Sequence, residues 1–357
     1  MIFRQLFEVE SSTYSYLLAS RRGGEALIID PVVEKVGRYL QLMQELEVRL
    51  VKALDTHLHA DHITGMGALR DRTHCITVMG EQSNVDVVSM RVRDGDQVEI
   101  EGLVLDVIYT PGHTDDSYSF VCGDRVFTGD TLLIRSTGRT DFQNGDPSAQ
   151  YDSLFGRLLN LPDETLVYPA HDYKGDTVST IGEERACNPR LQVKSVHEYV
   201  DLMNSLHLTN PKMMDVAVPA NIKQGLAQDQ IARRGWAYAA EEAKVLVGKS
   251  SVIFIDLRER RELERDGKIP GALHLPYKGL QENISPGCVL RMLAAPQDRK
   301  LLFYCAFGER SAMAVQAAQD VGLSCAYHIE GGLDAWKKAG GALDHGTGSV
   351  GLAHRNL

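Results

Sequence analysis

The stretch Thr56-His57-Leu58-His59-Ala60-Asp61-His62 is the most informative part of this 357-residue sequence. It holds three of the twelve histidines of the chain and follows an apolar strand predicted at Arg49–Leu54. Imidazole nitrogens and carboxylate oxygens are the donors that borderline metals prefer, so the stretch predicts a metal site. A solvated polar turn would explain the same residues without a metal, and the stretch alone does not exclude it.

Three later segments favour the metal site over the polar turn. Each of them places a histidine or an aspartate directly after a predicted strand, where a rigid sheet commonly positions functional groups. They are Thr110-Pro111-Gly112-His113-Thr114, Phe127-Thr128-Gly129-Asp130 and Tyr168-Pro169-Ala170-His171-Asp172. One such histidine would be a weak signal, but the four segments together predict a shared site.

In this order the segments resemble the metallo-β-lactamase superfamily, which implies an αββα sandwich with metal at the strand ends. The resemblance implies two alternative chemistries. Thioester hydrolases such as glyoxalase II hold two metals at the positions matching His57, His59, Asp61, His62, His113, Asp130 and His171. Persulfide dioxygenases hold one Fe(II), with ligands matching His57, His113 and Asp130. There, His59, Asp61, His62 and His171 would orient the ligands.

The metal motif contains every ligand of both alternatives, but other segments favour the dioxygenase. Residues 11–17, 138–143, 171–175 and 188–191 are similar to persulfide dioxygenases, and the resemblance covers about residues 1–225. It implies glutathione persulfide and dioxygen as substrates. Candidates for binding the glutathione carboxylates and peptide are Arg139, Tyr173, Lys174 and Arg190, with Asp141 as an alternative partner of Arg139.

A second chemical signal lies at the end of the apolar strand Leu301-Leu302-Phe303-Tyr304. There Cys305-Ala306-Phe307-Gly308-Glu309-Arg310 leads directly into a helix predicted at residues 311–321. Backbone amides at a helix N-terminus stabilise a thiolate, and the same amides can hold a persulfide. Gly308 permits the tight curl, and we expect Arg310 to add positive charge at the rim. The other five cysteines are expected to be packing residues: Cys75, Cys122, Cys187, Cys288 and Cys325.

This part of the chain resembles the rhodaneses, through residues 254–259, 267–272, 305–310 and 330–336. The resemblance spans about residues 237–340, where strands that alternate with helices predict a parallel sheet covered on both faces. It implies a sulfurtransferase in which Cys305 carries sulfur as a persulfide inside the loop of Ala306, Phe307, Gly308 and Glu309, with Arg310 as a catalytic residue. Asp256 and Arg258 are predicted to form a structural ion pair.

Composition and charge exclude several other classes of protein. No apolar run is long enough for a membrane span, and a net charge of −10 argues against nucleic-acid binding. The six cysteines are scattered, with no Cys-x-x-Cys pair, which suggests a reducing cytoplasm. We expect an α/β protein of two domains, residues 1–232 and 233–357, forming a homodimer.

The predicted function is a coupled one. The first domain would oxidise glutathione persulfide with dioxygen to sulfite and glutathione, using a mononuclear Fe(II). The second would move sulfur between thiosulfate and glutathione through Cys305, with sulfite as the other product or substrate. Two alternatives stay open at this point: a dinuclear thioester hydrolase with an accessory rhodanese, and a sulfur-carrier or sensing protein.

Overall fold

A computed structural model of the chain describes residues 1–85, 88–206, 208, 213–222, 228–285, 287–294 and 299–345. The chain divides into two compact units, Met1–Gly225 and Leu226–Leu357. The boundary predicted after residue 232 lies slightly later in the sequence and stays a prediction. No helix among the described residues combines the length and the apolar character that crossing a membrane requires.

The first unit contains two six-stranded sheets, and the first sheet follows chain order. Its strands are β1 (Ile2–Glu8), β2 (Thr13–Ala19), β3 (Glu25–Ile29), β4 (Arg49–Leu54), β5 (Ile76–Gly80) and β6 (Met90–Val92). From β3 onwards the strands run parallel, so the carboxyl ends of β3, β4 and β5 lie at one edge. Two helices connect them, α1 (Val36–Glu45) and α2 (Met66–Thr73), and their apolar sides pack into one core cluster with this sheet.

The second sheet has the order β12-β11-β10-β9-β8-β7. Its strands are β7 (Gln97–Ile100), β8 (Leu103–Tyr109), β9 (Tyr118–Cys122), β10 (Arg125–Gly129), β11 (Leu166–Pro169) and β12 (Ser179–Thr180). Its helices are α3 (Pro147–Gly156), α4 (Ile181–Cys187) and α5 (Val196–Asn204). The pair β10 and β11 is parallel, so Asp130 and His171 follow strands that end at the same edge.

Aromatic side chains join the two sheets. The rings of Phe3 and Tyr168 lie 4.9 Å apart, and those of Tyr16 and Phe127 lie 5.0 Å apart. Residues from β1 and β2 thereby pack against residues from β10 and β11. Each sheet packs with its own helices in its own core cluster. This arrangement confirms the predicted αββα sandwich.

One helix of this unit, α6 (Met214–Ile222), forms without support from its local sequence. Its apolar residues show no helical periodicity, and Pro219 stands inside it. Ala217 and Asn221 are nevertheless buried. Tertiary contacts therefore stabilise a helix that the local pattern does not favour.

The second unit has a parallel five-stranded sheet of order β13-β17-β16-β14-β15. Its strands are β13 (Ala237–Tyr238), β14 (Val252–Asp256), β15 (Leu273–His274), β16 (Lys300–Tyr304) and β17 (Ala326–Ile329). Its helices are α7 (Gln228–Arg233), α8 (Ala240–Lys244), α9 (Arg260–Asp266), α10 (Leu280–Ile284), α11 (Val289–Ala294), α12 (Glu309–Asp320) and α13 (Gly332–Lys338). The predicted alternation of strands and helices around a parallel sheet is confirmed.

Four of the five cysteines expected to pack in the interior are at least partly buried, but Cys187 is exposed. It is the last residue of α4, and the buried residues of that helix are Ile181 and Glu184. The expectation for Cys187 was therefore wrong, because its position on the helix faces away from the core.

Candidate metal centre and sulfur-transfer loop

Two imidazoles and one carboxylate meet at the edge where strands of the two sheets end. The side-chain ligand atoms of His57, His113 and Asp130 all lie within 4.8 Å of one another, and all three residues are buried. His113 Nε2 lies 3.6 Å from Asp130 Oδ2. The fold thus brings together the three residues that the sequence nominated as metal ligands.

Hydrogen bonds behind the two histidines fix which nitrogen of each ring carries a proton. His113 Nδ1 lies 2.7 Å from the carbonyl oxygen of Arg139, which can only accept. His113 Nδ1 is therefore the donor, and its Nε2 keeps the lone pair that a metal needs.

For His57 the partner is the hydroxyl of Thr56, 2.9 Å from Nδ1. That hydroxyl donates to Asp30 Oδ2 at 3.0 Å, and the Thr56 amide donates to Asp30 Oδ1 at 2.7 Å. Thr56 Oγ1 therefore accepts a hydrogen bond from His57 Nδ1. The lone pair of His57 Nε2 remains available to a metal. Burial raises the pKa of Asp30 to about 6, against the opposing effects of His57 and Thr56, so above that pH Asp30 is the ionised acceptor that this arrangement needs. Burial also lowers the pKa of His57 well below its ordinary value, which keeps the ring neutral.

The remaining four residues of the motif form an adjoining group. The ligand atoms of His59, Asp61, His62 and His171 also lie within 4.8 Å of one another. Asp61 Oδ2 accepts from His62 Nδ1 at 3.0 Å and from His171 Nε2 at 2.9 Å. Within the described part of the chain, His59 Nδ1 and His62 Nε2 are buried and lack any hydrogen-bond partner. Buried nitrogens in that state fit a site that faces a cation.

His171 connects the two groups. Its Nδ1 lies 2.7 Å from Asp130 Oδ1, while its Nε2 faces Asp61. Burial by itself lowers the pKa of His171, but Asp130 and Asp61 outweigh it and raise that pKa well above the ordinary value. The same imidazole holds the pKa of Asp130 low, although burial opposes this. His171 therefore orients the carboxylate of the first group.

Two further residues complete this centre, and the sequence analysis missed both as site residues. Thr13 Oγ1 lies 3.1 Å from His171 Nε2 and 3.3 Å from Asp61 Oδ2. Asn221 of α6 donates from Nδ2 to the carbonyl oxygens of His59 and His62, both at 2.9 Å, and its Oδ1 accepts from the Thr64 amide at 3.0 Å. Thr13 lies within residues 11–17, which are similar to persulfide dioxygenases. Nothing in the sequence around Asn221 indicates its role.

The four candidate residues for binding glutathione have different environments. Arg139 forms a two-pronged ion pair with Asp141, at 2.6 and 2.7 Å, as the alternative interpretation expected. Arg190 is half-buried and donates to the Thr137 carbonyl at 2.5 Å, and among the described residues it has no carboxylate partner. Lys174 is exposed. Tyr173 is 70% exposed, and its ring lies parallel to that of His171 at 6.1 Å. Their ligand roles stay predictions.

In the second unit, the Cys305 loop is held from two sides. Cys305 is fully buried, and the Gly308 amide donates to its sulfur at 3.2 Å. Amides at the start of α13 bond the loop carbonyls: Leu333 N donates to Cys305 O at 2.8 Å, and Asp334 N donates to Ala306 O at 3.0 Å. The carbonyls are thus directed to α13, while the Gly308 amide faces the sulfur.

This contact depends on Gly332. A Cβ at that position would lie 2.5 Å from Cys305 O and 2.6 Å from Gly308 N, and the residue has a φ of +60°. Only glycine combines this backbone conformation with such a close approach. Gly332 lies in the segment 330–336 that resembles the rhodaneses, and this close contact is a physical reason for a glycine there.

The structure corrects the expected position of Arg310. Its guanidinium is fully buried and binds both oxygens of Glu262, at 2.7 and 2.5 Å, instead of lying at the rim. Burial lowers the pKa of Arg310, but Glu262 outweighs this and raises it. The charge stays buried because α9 supplies its counterion, and a catalytic role for Arg310 stays a prediction. The structural pair of Asp256 and Arg258 is present, buried at 2.6 Å.

Comparisons with known proteins agree with both units. The model of the metallo-beta-lactamase superfamily matches residues 9–86 and 80–171, and the model of the rhodanese-like domain matches residues 239–339. The mitochondrial persulfide dioxygenase ETHE1 of Bos taurus is 45% identical over 229 residues, which are 63% of this chain and 89% of that protein. The chain belongs to the persulfide dioxygenase family. It is an enzyme that joins a persulfide dioxygenase to a rhodanese domain.

Solved structures support the same assignment. The crystal structure of ETHE1 from Myxococcus xanthus is 55% identical, covers 62% of this persulfide dioxygenase and 98% of its own chain, and superposes with a TM-score of 0.61. A metallo-beta-lactamase from Staphylococcus aureus covers 93% of this chain and 97% of its own with a TM-score of 0.59. At 22% identity the second structure shows the fold alone.

Proposed function

We propose that the first unit oxidises glutathione persulfide with dioxygen to sulfite and glutathione at one Fe(II) held by His57, His113 and Asp130. The observation that carries this proposal is the pair of fixed tautomers, which leaves two Nε2 lone pairs beside one carboxylate. Two imidazoles and a carboxylate with open positions are the donor set typical of non-heme Fe(II) oxygenases. Membership of the persulfide dioxygenase family supports it.

When bound, the iron supplies a centre at which a persulfide sulfur and dioxygen can meet. The residues of the chain do the rest. His171 and Asp61 hold the carboxylate of Asp130 and the ring of His62 in place. In the overall reaction one dioxygen and one water provide the three oxygens of sulfite, and glutathione leaves as the thiol.

Glutathione carries carboxylates that need cations. Arg190 is the strongest candidate, because its guanidinium is half-buried and has no carboxylate partner among the described residues. Lys174 is exposed and supplies a point charge, and Tyr173 presents a ring next to His171. Arg139 is a weaker candidate, since Asp141 already occupies its guanidinium.

The second unit transfers sulfur through Cys305 in this proposal. The Cys305 thiolate attacks the outer sulfur of thiosulfate, the sulfur–sulfur bond breaks, and sulfite leaves with the electron pair. A glutathione thiolate then attacks the outer sulfur of the Cys305 persulfide, which releases glutathione persulfide and restores the Cys305 thiolate. The product is the substrate of the first unit, which couples the two activities.

The decisive experiment measures metal content and oxygen uptake on the full chain loaded with iron. One iron per chain and oxygen uptake with glutathione persulfide are expected. Two metals, no oxygen uptake and hydrolysis of a glutathione thioester would identify the dinuclear hydrolase instead.

The coupling is tested with Cys305→Ser, and Cys288→Ser serves as the matched control. Cys305→Ser should keep oxygen uptake from glutathione persulfide and lose it from thiosulfate plus glutathione. A stable Cys305 persulfide in the unmodified chain, without multiple turnover, would instead identify a sulfur carrier. We also propose a homodimer in the cytoplasm, and sedimentation equilibrium tests the assembly.

A further inference from the structure

Two buried polar side chains lie behind Cys305, and the proposed transfer reaction does not yet use them. Ser311, in the first turn of α12, has its Oγ 3.7 Å from Cys305 Sγ and 3.4 Å from His328 Nδ1. His328 lies on β17, and its register partner on β16 is Phe303. Cys305, Ser311 and His328 are all fully buried.

The position of the His328 proton follows from what surrounds its ring. Burial lowers the pKa of His328 to about 4, so at neutral pH the imidazole carries a single proton. Its Nε2 is buried and has no hydrogen-bond partner within the described ranges. A buried N–H without an acceptor is rarer and costlier than an unused lone pair. The proton therefore resides on Nδ1, which faces Ser311.

This tautomer determines what the Ser311 hydroxyl can do. Because His328 Nδ1 donates to Ser311 Oγ, the hydroxyl hydrogen of Ser311 must point elsewhere. Two acceptors are available, the Gly308 carbonyl at 3.0 Å and the Cys305 sulfur at 3.7 Å. The nearer carbonyl is preferred while the sulfur is neutral. A negatively charged sulfur is the stronger acceptor, because a charge-assisted hydrogen bond is roughly twice as strong as a neutral one.

We propose that Ser311 donates a hydrogen bond to the anionic Cys305 sulfur during sulfur transfer, and that His328 positions Ser311 for it. The inference rests on the proposed role of Cys305 as the sulfur carrier. The sulfur is anionic twice in each cycle. It attacks the donor as a thiolate, and it receives the electron pair when the acceptor thiol removes the outer sulfur.

Among the described residues, the hydrogen-bond contacts to the Cys305 sulfur come from uncharged groups. Arg310, the cation of the loop, already binds both carboxylate oxygens of Glu262. The Gly308 amide at 3.2 Å is a second neutral donor to the sulfur. Ser311 and the Gly308 amide would therefore act together as a pair of donors to one sulfur atom.

The test uses the full chain with thiosulfate and glutathione as substrates, and measures sulfur transfer and the alkylation rate of Cys305 by iodoacetamide. Ser311→Ala should lower both rates on the order of tenfold, with the loss in kcat rather than in KM. His328→Leu should lower them in the same direction. His328→Asn should recover most of the loss, because its amide can donate from nearly the place of Nδ1.

A matched control is Tyr277→Phe, which removes another buried hydroxyl that contacts α12, at the sulfur of Met313 3.8 Å away. It should leave both rates within twofold of the unmodified chain. Thermal unfolding of every variant separates a lost donor from a lost fold. If His328→Asn and His328→Leu are equally slow and equally destabilised, His328 has only a structural role and the inference is wrong.

The outcome distinguishes this inference from the proposal on which it rests. If Ser311→Ala and His328→Leu transfer sulfur at the normal rate while Cys305→Ser is inactive, the donor role fails and the sulfur-carrier role of Cys305 stands. If Cys305→Ser itself transfers sulfur normally, the proposed function of the loop fails.

Discussion

The two units build their sites in opposite ways. In the first unit, the candidate ligands come from loops after β4, β8, β10 and β11, and contacts between separate loops orient them. In the second, Cys305 and the amide that faces its sulfur lie within one loop between β16 and α12. The first site is therefore a product of tertiary structure, and the second is mostly a product of one contiguous segment.

This difference predicts where each site is vulnerable. The metal centre should be sensitive to residues far away in the sequence that hold its loops. The Cys305 loop should be sensitive to the few places where another element touches it closely. Substitutions at such places can contradict or refine the comparison.

The largest effect is expected for Gly332→Ala, at the closest of these contacts. The added Cβ would collide with Cys305 O and Gly308 N, and alanine is strained at the φ of +60°. We expect the free energy of unfolding of the second unit to fall by roughly 4 kcal/mol, from backbone strain and overpacking together. Sulfur transfer should be lost, and urea unfolding with a transfer assay measures both.

Gly322→Ala is the control for this substitution. Gly322 also has a positive φ, of +78°, but its Cβ would meet nothing within 4 Å. It should cost about 1 kcal/mol and leave transfer intact. Equal effects of the two substitutions would show that close packing against α13 does not shape the loop.

Glu262→Gln should have the next largest effect, because it leaves the buried charge of Arg310 without its counterion. Removing one partner of a buried ion pair is strongly destabilising, and we expect the free energy of unfolding to fall by about 3 kcal/mol. The exposed pair of Arg260 and Glu264 on the same helix provides the control, and Glu264→Gln should cost under about 0.5 kcal/mol.

The pH dependence of this pair has a definite sign. Burial raises the pKa of Glu262, but Arg310 more than offsets it, so the pKa is lowered in the folded chain. The stabilisation is therefore present above the ordinary pKa of a glutamate and is lost as the pH falls through the lowered value. Glu262→Gln should remove this part of the acid sensitivity, and no change in it would contradict the interpretation.

Asn221→Ala tests the dependence of the metal centre on distant residues. It removes the hydrogen bonds to the backbone of His59, His62 and Thr64, so the loop that carries the candidate ligand His57 should loosen. We expect iron to dissociate about 10–100-fold faster into a chelator. Asn204→Ala, at an exposed position, is the control. Unchanged iron release would mean that the histidine loop holds its shape without α6.

The smallest effect is expected for substitutions of the residues proposed to bind glutathione. Arg190→Ala should raise the KM for glutathione persulfide about tenfold with little change in kcat, as for the loss of one charge-assisted contact. Arg139→Ala should raise it less, because Asp141 already binds that guanidinium. The reverse order in steady-state oxygen uptake would assign the substrate carboxylate to Arg139.

The sequence by itself determined the two fold classes, and it singled out the seven metal-type residues and Cys305 as candidates. It could do so because each signal is local: a cluster after a strand, or a cysteine between a strand and a helix. The same logic predicted the ion pair of Asp256 and Arg258, two positions apart in the chain.

Only the tertiary structure decided how those groups are held. The contacts of Thr13 with His171, of Asp30 with Thr56 and of Asn221 with the backbone of His59 join residues that are distant in the sequence. The same holds for the buried pair of Arg310 and Glu262. The same is true of His328 behind Ser311 and Cys305. A local pattern carries no information about such partners, since their side chains become neighbours only when the sheets and helices pack.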